Sequence, residues 1–504
     1  MKLDVRSAKG IGLTLLILVA LGAALRISYN NVTRYGNGDE YHYRTQLQEI
    51  AAQGWRHYPT LVRAHLDQNP DFPAPYRWGY LAVGRLACLV RGACDERSLA
   101  WVATLSGIAV VALVAMLGIR LFQKRTAVVA TALMITSPLH LNLGRRAYAD
   151  ELHTACLLLA LWAMASLTLE PNFGHKRHSR WFLTGLSILA LTMAWSIKES
   201  VFCFLPALFA WLFCLRHPPT LRPRDFLLLL LPPVLFVGGF LAFNHGFEPA
   251  RVLLNATRHS FLHSYSRMYQ YGPPHRPLVE LFTLAPWIFG LLPIVPVAAW
   301  GMTGARVDAL MSLERDEQAL SRQRARALVV VFGLILAAFL FLPKNLRFYA
   351  VLDPLARLLV AWVLCEALPI GSTLTLSWWA ALLLCHAGFE LALFHRAFVV
   401  SAVTDPTASA IFRALQIIPK EGHEKPWHPP IIVLGCGLLS TALAWVSVVR
   451  CKVNRSSVAA AVITTTFALG LPQLFRPFRS IISAIQVPGL VRETSENSPP
   501  FSED

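Results

Sequence analysis

Four short stretches place carboxylates and cations beside long apolar runs. "YGNGDEYHYR" carries Asp39 and Glu40, and "GRRAYADELH" carries Arg145, Arg146, Tyr148, Asp150, Glu151 and His153. "IKES" carries Lys198 and Glu199, and "KNLRFYAVLDP" carries Lys344, Arg347, Tyr349 and Asp353. Cations hold a phosphate by charge and by charge-assisted hydrogen bonds. A carboxylate takes a proton from a hydroxyl nucleophile. Together these groups suit transfer of a group from a phosphate leaving group to an acceptor alcohol. The loop 244–277 adds Arg251, Arg258, His259, His263, Tyr265, Arg267, Tyr269 and Tyr271.

The elements that must position them are helices in a bilayer. Of the 504 residues, 55% are hydrophobic and 15% charged, against about 25% charged in a soluble domain. A helical span needs roughly 20 apolar residues. Runs of that length recur throughout, which predicts an all-α integral membrane protein, a polytopic bundle of about thirteen transmembrane helices. They are expected near 11–28, 98–122, 126–143, 151–169, 181–197, 200–215, 226–243, 278–300, 327–343, 348–368, 374–394, 431–449 and 458–474. The first 28 residues resemble a signal peptide and read as an uncleaved first span. Residues 1–480 form the membrane domain, and the polar tail 481–504 reads as disordered.

The formal net charge of +17 would suggest nucleic acid in a soluble protein. Here much of it lies in alternate short loops, so no nucleic-acid partner is expected. Those loops hold Lys124 and Arg125; Lys176, Arg177 and Arg180; Arg216, Arg222 and Arg224; Arg306, Arg322, Arg324 and Arg326; and Arg450, Lys452 and Arg455. With Lys2, Arg6 and Lys9 they fall on one side, which the positive-inside rule makes cytoplasmic, N-terminus included. The long loops 29–97 and 244–277 then lie outside the cell (inner or plasma) membrane, and so do all four polar clusters. An ionisable group costs about 2.5–3.5 kcal/mol at a helix centre and less at its ends. Gathering several at one face is the mark of a site.

Loop 29–97 has helical periodicity after the acidic pair, with Leu47, Ile50 and Ala51 on the apolar side of a helix lying along the membrane surface. Asp39 and Glu40 stand where they could instead cap that helix. Cys88 and Cys94 are close enough to pair if the loop faces an oxidising compartment. No CxxC or Cys/His zinc spacing is present, and His259 and His263 lack a nearby acidic ligand, so no metal and no other cofactor is expected.

"GDEYHYRTQLQEIAAQGW" resembles the acidic signature of the GT-C glycosyltransferases, nearest to the protein O-mannosyltransferase and lipid A aminoarabinose transferase branch. "SPLHLNLGRRAYADELHTACLLLALWAMASL", "LTGLSILALTMAWSIKES" and "KNLRFYAVLDPLARLLVA" resemble its later motifs in order, over about residues 10–365. The resemblance implies a polyprenyl-phosphate (lipid-linked) sugar donor, displacement at the anomeric carbon with inversion, and no nucleotide at the site. It carries the catalytic base onto Asp39, the acidic residue of the second outer loop onto Asp150, and the phosphate cations onto Lys198 and Arg347. Glu40, Arg146, Lys344 and Tyr349 complete the expected substrate contacts. The acceptor would be a glycan, lipid or protein. The alternative is a transporter or flippase for a lipid-linked or anionic substrate, whose sign would be ionisable groups at mid-bilayer and inverted repeats.

Overall fold

The computed structural model describes residues 5–30, 39–68, 77–169, 177–216, 221–244, 277, 278, 281, 284–300, 312–341, 346–367 and 376–394. Every regular element among them is helical: α1 (Val5–Asn30), α2 (Asp39–Gln53), α3 (Tyr58–Gln68), α4 (Trp78–Arg91), α5 (Glu96–Leu121), α6 (Lys124–Ile135), α7 (Pro138–Leu143), α8 (Asp150–Leu169) and α9 (Arg177–Ile197). They continue as α10 (Leu205–Leu215), α11 (Pro223–Asn244), α12 (Pro286–Leu291), α13 (Ile294–Trp300), α14 (Ser312–Phe341), α15 (Leu352–Trp362) and α16 (Leu376–Phe394). Short 3-10 turns stand at Glu199–Phe204 and Leu346–Tyr349.

Six helices among the described residues are long and apolar enough to cross a membrane. The count of about thirteen is therefore met only in part. Several expected spans are broken into shorter pieces. The run 126–143 divides between α6 and α7, where Ser137 caps α7 and Pro138 starts it; proline at a first helical position lacks only a hydrogen the helix end would leave unbonded. The run 278–300 contains α12 and α13, and 200–215 opens as a 3-10 turn. The expected spans at 431–449 and 458–474, the tail 481–504 and nearly all of loop 244–277 lie outside the described residues.

α5 and α8 form the centre. α5 packs on α6 and α8, α8 on α9, α10 on α14, and α11 on α9. Windows of α5 and α8 are 67% and 61% buried, against 17% for α1 and 22% for α11, so the last two present most of their apolar surface outward, as helices facing lipid do. The main core encloses Trp211 and Trp362. A smaller core lies under α2, α3 and α4, where Tyr43, Leu47, Ile50, Tyr58, Tyr80 and Leu81 pack with Ala147, Ala149 and Ile197. Leu47 and Ile50 are thus the seated face of α2 expected from periodicity, and Ala51 borders it half-buried. This smaller core matters for function: its members Ala147, Ala149 and Ile197 are chain neighbours of Arg146, Asp150 and Lys198.

Close approaches fix the seating. A Cβ on Gly79, in the first turn of α4, would stand 2.7 Å from Ser196 Cβ at the end of α9. At the far end of the bundle a Cβ on Gly118 of α5 would stand 2.7 Å from Ala127 Cα of α6. A left-handed Gly92 (φ 74°) ends α4, and Asp95 starts α5 by accepting the Ser98 N–H at 2.9 Å. Cys88 and Cys94, across this turn, are joined by a disulfide.

Candidate active site

The first turn of α2, the loop before α8, the end of α9 and the 3-10 turn Leu346–Tyr349 meet at one end of the bundle. Helices α8 and α9 run in opposite senses, which brings the start of one beside the end of the other. Two ion pairs form there between distant parts of the chain. Arg347 donates to Asp39 Oδ2 at 2.9 Å. Lys198 Nζ donates to Asp150 Oδ1. Lys198, Arg347 and Asp150 are buried, while the Asp39 side chain keeps 19% of its surface exposed. Among these four charged groups Asp39 is the one most open to a group arriving from outside.

A third pair is of another kind. Glu40 is fully buried and accepts from Arg146 Nε at 2.8 Å, from Arg146 Nη2 at 2.6 Å and from the Ala147 N–H at 2.9 Å. Fork-on-fork geometry of this sort adds directional as well as electrostatic strength. It ties α2 to the loop before α8, so adjacent acidic residues serve differently: Asp39 faces the site and Glu40 anchors its helix.

Aromatic rings fill the space between the charges. The Arg347 guanidinium lies over the Tyr148 ring at 4.5 Å, and Arg146 lies 5.1 Å from the same ring. Arg146 also donates to the Tyr148 hydroxyl at 3.2 Å. Lys198 Nζ sits 4.3 Å from the Phe348 ring centre. The quadrupole of a ring face attracts a cation, so these rings hold the cations in place without consuming their charge. Burial pushes the Tyr148 phenol up to about 12, which keeps its proton on at neutral pH. Burial pushes the Lys198 ammonium below its usual value; Asp150 opposes this, and Arg347 and Arg77 repel it further. A new anion beside Lys198 would therefore be welcome, since opposite charge favours the ionised form. Arg77, Arg146, Lys198 and Arg347 gather here with Asp39, Glu40 and Asp150.

The arrangement matches solved structures in its helical framework. Residues 79–238 match the model of the family described as dolichyl-phosphate-mannose-protein mannosyltransferase. ArnT from Cupriavidus metallidurans in the apo state is 16% identical, with 97% of this chain and 79% of that one covered and a TM-score of 0.51. The chain has the GT-C fold. Other GT-C structures are similar too. ArnT from Cupriavidus metallidurans bound to undecaprenyl phosphate is 14% identical over 95% of this chain and 79% of that one, with a TM-score of 0.49. AglB, the oligosaccharyltransferase from Archaeoglobus fulgidus, in complex with an inhibitory peptide and a dolichol-phosphate, is 14% identical over 83% of this chain and 59% of that one, with a TM-score of 0.46. A search of curated protein sequences finds no match. With its six long apolar helices among the described residues, the chain is a multi-pass membrane protein.

Six of the eight residues singled out from the sequence, Asp39, Glu40, Arg146, Asp150, Lys198 and Arg347, meet in three ion pairs. Tyr349 ends the 3-10 turn that carries Arg347, and Lys344 lies outside the described residues. Among the described residues no group of three or more His, Cys, Asp or Glu side chains is arranged to hold a metal ion. Sequence reasoning missed Arg77, Tyr43 and Tyr80. Arg77 donates to the Tyr43 hydroxyl, the Tyr43 and Tyr80 rings meet edge to face at 4.7 Å, and Tyr80 is fully buried. The signal was available: an arginine between two aromatic residues, "YRWGY", just past a proline-rich stretch.

Proposed function

We propose that this protein is a membrane glycosyltransferase that moves a sugar from a polyprenyl-phosphate donor to an acceptor hydroxyl on the extracytoplasmic face, with inversion at the anomeric carbon. The observation that carries the reading is the pairing of Asp39 with Arg347 and of Asp150 with Lys198 at one end of the bundle. The family model supports it, since that family is named for a dolichyl-phosphate sugar.

The donor phosphate would lie between Lys198 and Arg347. There it competes with Asp150 and Asp39 for their N–H groups. As Arg347 turns toward phosphate, Asp39 loses its closest counter-charge and becomes a better base. The acceptor oxygen attacks the anomeric carbon while Asp39 takes its proton. The carbon–oxygen bond to phosphate breaks, and the electron pair leaves with the polyprenyl phosphate, whose charge the two cations hold. Asp150 orients the acceptor or offsets the positive charge that develops on the sugar ring. Glu40 and Arg146 keep α2 in place, Tyr148 backs Arg347, and Lys344 and Tyr349 contribute further substrate contacts. The acceptor is a glycan, a lipid or a protein.

Charge supports the side. The helix ends opposite the site are flanked by Lys124, Arg125, Arg180, Arg216, Arg222, Arg224, Arg322, Arg324 and Arg326, as the cytoplasmic ends of spans should be. The Cys88–Cys94 bridge suits an oxidising compartment. Vesicles carrying the purified protein and a labelled polyprenyl phosphosugar test the function: a glycosyltransferase releases polyprenyl phosphate, whereas a flippase leaves the bond unbroken.

A further inference from the structure

Beneath the site, His140 stands at a junction of three elements. It belongs to α7 and is fully buried. Its Nδ1 is 2.8 Å from Glu151 Oε1, in the first turn of α8 and next in the chain to Asp150. Its Nε2 is 3.1 Å from the carbonyl oxygen of Ala350, three residues after Arg347. Both neighbours accept hydrogen bonds. A neutral ring has one N–H and satisfies one of them; a ring with both nitrogens protonated satisfies both.

Charged side chains surround the ring. Asp353 Oδ2, on α15, lies 3.9 Å from Nε2. That carboxylate is held by Ser137 Oγ at 2.7 Å and by Arg357 Nε at 2.9 Å. On the other side Arg26 of α1 lies in the field of Glu151, across Gly107, whose Cβ would stand 3.1 Å from Arg26 Nε and 3.7 Å from Glu151 Oε2. Arg26 is occupied with backbone, donating to the carbonyls of Ile135 at 3.1 Å and Gly22 at 3.2 Å, while Arg357 also pairs with Glu390 at 2.7 Å. The carboxylates of Glu151 and Asp353 flank the His140 ring itself.

We infer that His140, in contact through both ring nitrogens, is a positioning residue for the transfer reaction, a clamp that joins the start of α8 to the turn bearing Arg347. It fixes the separation of the Asp150–Lys198 and Asp39–Arg347 pairs and so the width of the phosphate seat. The inference rests on the donor reading given above. His140 touches neither reacting atom and acts through Arg347 and Asp150.

Two neutral substitutions dissect the clamp. His140→Asn keeps an N–H toward Glu151 and cannot reach Ala350, and His140→Gln favours the opposite bond. The probe is a short-chain polyprenyl phosphate without a sugar, titrated into protein in nanodiscs, beside steady-state kinetics with the phosphosugar. Both variants are expected to bind the probe at least about tenfold more weakly, within the range for losing a hydrogen bond to a charged group, and to raise donor KM with little change in kcat, as loss of uniform binding requires. Unchanged donor KM in variants that fold overturns the clamp. A wild-type protein that binds no polyprenyl phosphate overturns the donor reading and this role with it. Wild-type binding with equal affinity in both variants overturns this role alone.

Discussion

The two ends of the bundle spend their charges differently. At the end away from the site, charged and polar side chains close helix termini. Arg324 donates to the Leu121 carbonyl and Arg120 to the Ser166 carbonyl, each at 3.1 Å. Gln323 donates to the Cys214 and Arg216 carbonyls at 3.2 and 2.9 Å. Glu366 accepts from the Gln123 N–H at 2.8 Å and from Thr126 Oγ1 at 2.5 Å, and so starts α6. Most of these partners are backbone groups left over where helices stop, and the Arg216–Asp225 ion pair at this end also takes up the Arg222 N–H before α11. At the site end, Asp39, Asp150, Lys198 and Arg347 pair with each other, side chain to side chain. Under the proposed function these are the bonds that a phosphate or a proton would replace. If the proposed function holds, substitutions at one end should act on stability and at the other on chemistry.

The largest effect should come from Asp39→Asn. It keeps the shape and a bond to Arg347 but takes no proton, and general-base assistance is worth about 10²- to 10⁴-fold. A rate loss of at least about a hundredfold is expected at saturating donor, with normal yield and melting temperature. Loss of folded protein instead would make Asp39 a helix-starting residue and blur the contrast between the ends.

Next come Lys198→Ala and Arg347→Ala. A hydrogen bond to a charged group contributes about 1.5–3 kcal/mol, so donor KM or affinity should worsen roughly tenfold to a hundredfold, with acceptor KM nearly unchanged. Titration with polyprenyl phosphate checks this directly; unaltered donor affinity in both variants would move the phosphate seat elsewhere.

The two glycine contacts sharpen the comparison. Gly79→Ala drives α4 away from Ser196, and Gly118→Ala drives α5 away from Ala127. Overpacking of this kind costs about 1–3 kcal/mol, so thermal melting should fall in both. Only Gly79→Ala, which presses on Ser196 two residues before Lys198 in the chain, should also change donor KM. Equal kinetic damage from Gly118→Ala would show that the ends are not independent.

The smallest effect is expected from Glu366→Gln, which weakens the start of α6 by about 1 kcal/mol. Melting should drop slightly while kcat and both KM values stay at the wild-type level.

Much of the site was legible because its residues are chemically costly where they stand. A carboxylate pair just past a span, an arginine after a span and a lysine in a tight turn all declare themselves in apolar surroundings. Periodicity alone gave the seated face of α2 through Leu47 and Ile50. The pairing was not legible: Asp39 and Arg347 are 308 residues apart, and nothing local in either stretch names its partner. The difference between Asp39 and Glu40 was only half legible, since burial of Glu40 depends on Arg146 and the Ala147 N–H. His386 and Glu390, four residues apart on α16, stand 3.2 Å from each other; that Arg357 pairs with Glu390 required the fold. The breaks in the long helices were hidden by composition, because α6 and α7 share one apolar run and only Ser137 and Pro138 mark the interruption.

The most direct test of the account is donor cleavage at the site end. Purified protein in vesicles is given a labelled polyprenyl phosphosugar and a mixed pool of acceptor hydroxyls, and both polyprenyl phosphate and the labelled sugar are followed over time in wild type and Asp39→Asn. The account predicts that wild type releases polyprenyl phosphate as the sugar passes to an acceptor, and that Asp39→Asn, equally folded and equally able to bind the donor, is slower by at least about a hundredfold. Donor that only changes leaflet with its phosphate–sugar bond intact, or an Asp39→Asn protein that transfers at the wild-type rate, would contradict it.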